Sequence, residues 1–176
     1  NMRKLKLTEL NRLSLEEYKS KAKQPLVLVM DNIRSGLNIG SAFRVADCFA
    51  LERIVLCGIS QTPPHREIMR SAIGAEQSVD WSYEKDTAEA LKSLKEQGYQ
   101  IVGVEQTTTS IPLSNFEWSG EKPIALVLGN EVKGVSDTAL EYLDLCLEVP
   151  QQGTKHSLNV AVCTGIVVYD LIRRIQ

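Results

Sequence analysis

The strongest constraint on the fold of this chain is an alternation. Short, almost wholly apolar runs recur at residues 26–31 (LVLVMD), 53–58 (RIVLCG), 99–105 (YQIVGVE), 123–129 (PIALVLG) and 145–150 (LCLEVP). A further short strand is expected at 79–83. Continuous apolarity, rather than strict in–out alternation, marks strands buried on both faces. Between the runs lie helical patterns at 36–50, 86–97, 136–143 and 157–175. Asp86 and Ser136 stand where caps belong, and Gly98 closes the second helix. A Pro63-Pro64 loop leads into a stretch that reads as irregular up to Gln77. The pattern specifies an α/β fold, a mostly parallel sheet with helices on both faces.

At 176 residues the chain is long enough to bury a core without staples. Two parts are expected: a basic arm over 1–23 and a body over 24–176. The arm carries seven Lys/Arg against three Glu, a net +4, which leaves −6 on the body. Such an arm serves polyanion binding or is simply a solvated face. Ser14 and Glu17 have capping-box spacing, so a helix is expected to start there. The start of the chain is charged from Arg3 onward, so no secretory leader is expected. No apolar run is long enough for a membrane helix. Cys48, Cys57, Cys146 and Cys163 lack metal or CxxC spacing. They read as small core residues in a reducing, cytoplasmic setting, and no metal is expected.

In an open parallel sheet, ligands sit beyond the carboxyl ends of the strands. The polar loops at 31–41, 105–110, 129–136 and 150–159 follow strands and belong to that edge. Neither GxGxxG nor GxxxxGK[ST] is present, which argues against a P-loop NTPase, a kinase or a standard NAD dehydrogenase. Gly36 and Gly40 form a weak glycine pair that tight packing would explain equally well.

Three polar segments stand out: 31–44 (DNIRSGLNIGSAFR), 126–136 (LVLGNEVKGVS) and 149–161 (VPQQGTKHSLNVA). Asn38, Ser41 and Arg44 step by three along a helix. Ser157 and Asn159 open the last helix, where free N–H groups gather. Each segment alone is ordinary turn and cap chemistry. Together, in this order on one edge, they carry more.

The ordered set resembles the SPOUT superfamily, specifically the TrmH (SpoU) branch of RNA ribose 2′-O-methyltransferases. The matching features are Asn38 six residues before Arg44, Leu128-Gly129-Asn130-Glu131 with Gly134, and Pro150 through Ser157-Leu158-Asn159-Val160. Ser71-Ala-Ile-Gly-Ala75 matches a middle glycine-alanine stretch. The resemblance spans about residues 24–174. It implies a deep C-terminal trefoil knot, formed by loops at 129–135 and 150–158. It also implies a homodimer with its active site near the subunit interface, where the first and last helices pack.

The cofactor implied is S-adenosylmethionine, with S-adenosylhomocysteine as product. Leu128, Gly129, Gly134, Val149, Pro150 and Leu158 are its expected contacts. Arg44, Asn38, Glu131, Ser157 and Asn159 are the expected catalytic group. The resemblance makes Arg44 the proton acceptor, yet a guanidinium with a pKa above ~12 is nearly always charged. The alternative keeps Arg44 charged, clamping a phosphate and the forming alkoxide. Glu131 either holds Asn38 or Arg44, touches substrate, or merely braces its loop. His65 and His156 read as solvent-facing.

RNA contacts are expected from Arg34, Arg66, Arg70 and Lys155, with Arg44 on the same loop edge. The bland reading pairs Arg66 and Arg70 with Glu67 and Glu76. The partner implied is tRNA or rRNA. Two rivals stand beside the enzyme: a non-catalytic RNA-binding dimer of the same fold, and an unrelated nucleotide or flavin binder.

Overall fold

A computed structural model describes the chain from Asn1 to Gln176. Seven strands form one parallel sheet: β1 (Gln24–Asp31), β2 (Leu51–Cys57), β3 (Trp81–Glu84), β4 (Gln100–Val104), β5 (Ile111–Pro112), β6 (Ile124–Gly129) and β7 (Leu145–Glu148). Their spatial order is β3-β2-β1-β6-β4-β7-β5. Every paired strand runs parallel to its neighbour. The helices are α1 (Leu15–Ser20), α2 (Gly36–Cys48), α3 (Arg66–Ala72), α4 (Ala75–Ser78), α5 (Thr87–Glu96), α6 (Asp137–Leu140) and α7 (Val160–Arg173).

The central strand β1 shows why the runs read as apolar throughout. Leu26, Leu28 and Met30 enter one core with Phe43 of α2 and Val167 and Leu171 of α7. Val27 and Val29 point the other way, to Ala90, Leu91 and Leu94 of α5 and Ala139 of α6. Helices therefore cover both faces, and period-2 geometry sorts one apolar run into two cores. Phe43 is fully buried; truncation of such a residue to Ala costs about 3–5 kcal/mol.

Several elements differ from the expectation. The stretch after Pro64 holds α3 and α4, each too short for a readable period. Half-buried His65 is not simply solvent-facing: its Nδ1 accepts the Glu67 N–H as the α3 N-cap. β5 is a two-residue edge strand, where Pro112 needs no ladder donor. α6 ends at Leu140, and Ser136 holds the N-cap position without a side-chain cap bond. α7 starts at Val160, because Asn159 accepts from Ala161 N and Val162 N as its cap, and Ser157 stays in the preceding loop. Cys57 and Cys146 are buried, but Cys48 is exposed at the end of α2, contrary to its expected core role.

The glycine pair belongs to helix packing. A Cβ at Gly40 would lie 2.0 Å from Ser71 Oγ and 2.3 Å from the Ile68 carbonyl oxygen. α2 and α3 therefore cross closely there, and Ser71 donates to the Leu37 carbonyl at 2.8 Å. At the end of α3, Ile73 adopts φ 51° and ψ 49°. A β-branched residue in the left-handed region costs about 1–3 kcal/mol unless its surroundings impose it.

Candidate active site at the carboxyl edge of the sheet

β1 has β2 and β3 on one side and the later strands on the other, so strand order reverses beside it. At this carboxyl edge, fully buried Asp31 ends β1. It accepts from Thr87 Oγ1 at 2.6 Å, Ser136 N at 2.7 Å and Asn32 Nδ2 at 2.9 Å. The carboxylate thus ties β1 to α5 and to the loop after β6. Asp31 heads the first polar segment, yet sequence reading assigned it no role.

The loop after β6 folds tightly on itself. Asn130 and Gly134 exchange backbone bonds of 3.0 and 2.9 Å, and Asn130 Oδ1 accepts from Val132 N and Lys133 N. Glycine is required at Gly129, where a Cβ would sit 2.2 Å from Val135 N. It is required again at Gly134, where φ is +71° and a Cβ would meet Glu105 Oε1 at 2.1 Å. Glu105 accepts from Val135 N at 3.3 Å.

Glu131 reaches across to the start of α2. Its carboxylate accepts Arg34 N at 2.8 and 3.1 Å and Ser35 N at 3.1 Å. It holds neither the Asn38 nor the Arg44 side chain; backbone donors at a helix entry offer a carboxylate a better-placed site. Asn130 Nδ2 adds a 2.8 Å bond to the Asn32 carbonyl. The first two polar segments are thereby joined.

These loops enclose a cavity of about 280 Å³. Leu128, Gly129, Glu131, Gly134, Val149, Ser157 and Leu158 all line it, so residues from the second and third segments converge. Leu147, Val160 and Cys163 complete an apolar wall. Burial, then Glu105, pushes the Cys163 thiol above its ordinary value, so that wall is neutral. Sequence reading missed Glu105 and Gln106 here, although their loop was expected on this edge.

Other expected residues lie elsewhere. Pro150 is exposed, in a shallow depression beside the cavity shared with Lys155. Asn38 is buried in α2, and Asn159 spends its side-chain oxygen on the α7 cap. Exposed His156 borders the cavity mouth. Arg34, Arg66 and Arg70 are exposed, and neither Arg66 nor Arg70 pairs with Glu67 or Glu76.

Arg44 is the main correction. It does not lie on the loop edge but faces a second groove, between the arm and the turn after α3. Steps of three advance a helix by 300°, so Asn38 and Arg44 diverge by about 120°. Eight residues from Gly36 also carry Arg44 roughly 12 Å down the helix.

No group of three His, Cys, Asp or Glu side chains is arranged to hold a metal ion. No helix is long and apolar enough to cross a membrane.

Comparison with known proteins places the chain in a family. The family model described as the SpoU rRNA Methylase family matches residues 25–169. A 23S rRNA (guanosine-2′-O-)-methyltransferase of Nitrosomonas europaea is 32% identical over 175 residues, covering 96% of this chain and 64% of that protein. A mouse tRNA (guanosine(18)-2′-O)-methyltransferase is 31% identical over 151 residues, covering 85% of this chain and 9% of that one. Among solved structures, the A. aeolicus TrmH/SpoU tRNA modifying enzyme superposes with TM-score 0.80 at 26% identity, covering 91% and 80%. An AdoMet-bound rRNA methyltransferase from Sinorhizobium meliloti shares the fold, with TM-score 0.80 at 23% identity over 94% and 62%. The chain thus spans less than two thirds of the length of the two sequence relatives. With the family match covering most of the chain and the motif loops meeting at one cavity, this chain belongs to the SpoU rRNA Methylase family.

Proposed function

We propose that this chain transfers a methyl group from S-adenosylmethionine to a ribose 2′-hydroxyl of tRNA or rRNA. The observation that carries the reading is the cavity where the Leu128–Gly134 and Val149–Leu158 segments meet. Its size, just below the ~300–1,000 Å³ range of small-molecule sites, suits a folded nucleoside better than a dinucleotide. Leu128, Val149 and Leu158 offer an apolar bed for an adenine ring, and the closely folded glycine loop offers backbone groups. These features fit S-adenosylmethionine, held by Leu128, Gly129, Gly134, Val149 and Leu158.

When bound, the cofactor supplies an electrophilic methyl on a sulfonium. The protein's own task is to bring a ribose hydroxyl in line and accommodate the proton it loses. Glu131 holds the α2 entry against the cofactor loop, so the two halves of the site keep their spacing. Arg44 is exposed and makes no ion pair. That leaves its guanidinium free to clamp an RNA phosphate and the developing alkoxide, the reading we adopt. Exposed Arg34, Arg66, Arg70 and Lys155 extend the phosphate contacts.

Arg44 and the cavity lie apart within one chain, so we propose a homodimer that brings Arg44 of one copy to the cavity of the other. An unpartnered stripe on α7 supports it: Val162 (54% exposed), Ile166 (40%) and Tyr169 (57%), continued by Leu37 of α2 (39%). Tyr169 also meets Phe49 edge-on, centroids 6.1 Å apart. We further propose that the chain is threaded as a trefoil knot. β7 lies between β4 and β5, so the 105–110 connection must span its carboxyl end, beneath which the 149–159 segment would pass. The Gln106 side chain, donating to the His156 carbonyl at 3.4 Å, supports that arrangement. Four free thiols suit a cytoplasmic setting.

The test is transfer of tritiated methyl from S-adenosylmethionine to cellular RNA, followed by digestion to nucleosides. Label is expected in 2′-O-methylnucleosides. Arg44→Ala is expected to lower the rate about 100-fold or more, with S-adenosylhomocysteine affinity retained. Label confined to bases, or full activity without Arg44, would contradict the proposal.

A further inference from the structure

The groove that receives Arg44 has a floor and walls of its own. It holds about 730 Å³ and runs between the arm and the Ile73-Gly74 turn. Arg12 and Lys21 of the arm line it with Arg44, and none of the three makes an ion pair. Asp47 is the one carboxylate on the lining, and it is engaged by Ser78 Oγ at 2.5 Å. The groove is therefore a net cationic trough.

Its rim is apolar. Leu13, Leu15 and Ile73 are large side chains left exposed, Ile73 at 67%. The Ile73 turn is rigidly placed: the helix before it is locked to α2 at Gly40 and Ser71, and Ile73 N donates to the Met69 carbonyl at 3.2 Å. The left-handed backbone at Ile73 holds this side chain in solvent beside the cations.

We infer that this groove seats a single-stranded segment of the RNA substrate, with Arg12 and Lys21 on its phosphates and a base lying against Ile73. Unpaired cations beside an exposed apolar surface match an unstacked nucleotide, which presents an anion and a flat face. The inference rests on the methyltransferase reading and extends it: the arm becomes one wall of the substrate site. It also gives the Ser71–Ala75 stretch a role.

The test uses fluorescence anisotropy of the full chain with a labelled 15-nucleotide oligouridine, across a salt series. Arg12→Ala/Lys21→Ala is expected to flatten the log–log salt dependence by about 1.4, two single-strand phosphate contacts. Ile73→Gly, which relieves the left-handed backbone, is expected to melt no lower than wild type yet bind the oligonucleotide several-fold more weakly. Lys92→Ala, on exposed α5 surface, should change nothing. Unchanged affinity and slope in both groove variants, or no wild-type binding at low salt, overturns the inference. So does loss of the dimer in sedimentation of the double variant, which would assign Arg12 and Lys21 to the contact between copies rather than to RNA. S-adenosylhomocysteine binding, measured on the same samples, reports separately on the methyltransferase reading.

Discussion

Gly129→Ala probes the proposed cofactor loop with the least change of chemistry. The new Cβ would lie 2.2 Å from Val135 N and 2.3 Å from Gly134 C, both backbone atoms. Ordinary contacts are near ~3.5–4.0 Å, so the loop must open by more than about 1 Å. That movement strains or breaks the two Asn130–Gly134 backbone bonds. Overpacking costs about 1–3 kcal/mol, and the bonds add about 1 kcal/mol each before relaxation. A net penalty of about 2–4 kcal/mol follows. Borne by the loop in the bound state, it weakens S-adenosylhomocysteine about 30- to 1,000-fold. Borne by the whole fold, it lowers the melting temperature by roughly 4–16 °C. Calorimetric titration and thermal melting read the two outcomes separately. Gly153→Ala is the control, because a Cβ there meets nothing within 4 Å. A Gly129→Ala protein that binds and melts like wild type would refute the close-packed loop.

Two further predictions concern titrating groups. Burial raises the Cys57 thiol to about 12, while Cys48 is exposed. Ellman's reagent at pH 8 is therefore expected to modify Cys48 first and leave Cys57 protected, with S-adenosylhomocysteine slowing reaction at cavity-lining Cys163. Equal rates at Cys48 and Cys57 would contradict the burial. At Asp144, burial favours the neutral acid, but the Ile101 N–H and the Lys95 ammonium outweigh it and hold the carboxyl below its ordinary value. A carboxyl depressed in the folded state stabilises above its unfolded value, near ~3.9, and loses that contribution as pH falls through the folded value. Asp144→Asn should cost about 1 kcal/mol at pH 7, with the urea-midpoint gap closing as pH drops below about 4. A gap that persists unchanged at pH 2.5 would refute the assignment.

The sheet was legible because β1, β4, β6 and β7 are short apolar runs separated by helical spacing, and few folds besides a parallel α/β sheet produce that pattern. Strand order was not, because β6 pairs with β1 across almost a hundred residues and no local signal encodes the pairing. α3 and α4 escaped notice because fewer than two turns give no measurable period. That Gly129, Gly134, Val149 and Leu158 line one cavity was legible only through the resemblance that the ordered motifs carry, not from the residues' own spacing. What Glu131 bonds to was not: a carboxylate in a loop has many possible partners, and only the folded chain offers it Arg34 N and Ser35 N. Arg44 was misplaced because steps of three drift around a helix, and the groove it faces is built from the arm, distant in sequence.

The central claim is that the cavity beside Gly129 and Leu158 receives S-adenosylmethionine. Its most direct test is calorimetric titration of wild type and Leu158→Arg with S-adenosylhomocysteine, each first shown to melt cooperatively. The account predicts micromolar binding by wild type and none by the variant, whose guanidinium would fill the apolar bed. Equal binding by the two proteins would place the cofactor elsewhere, and no wild-type binding at millimolar ligand would contradict the claim.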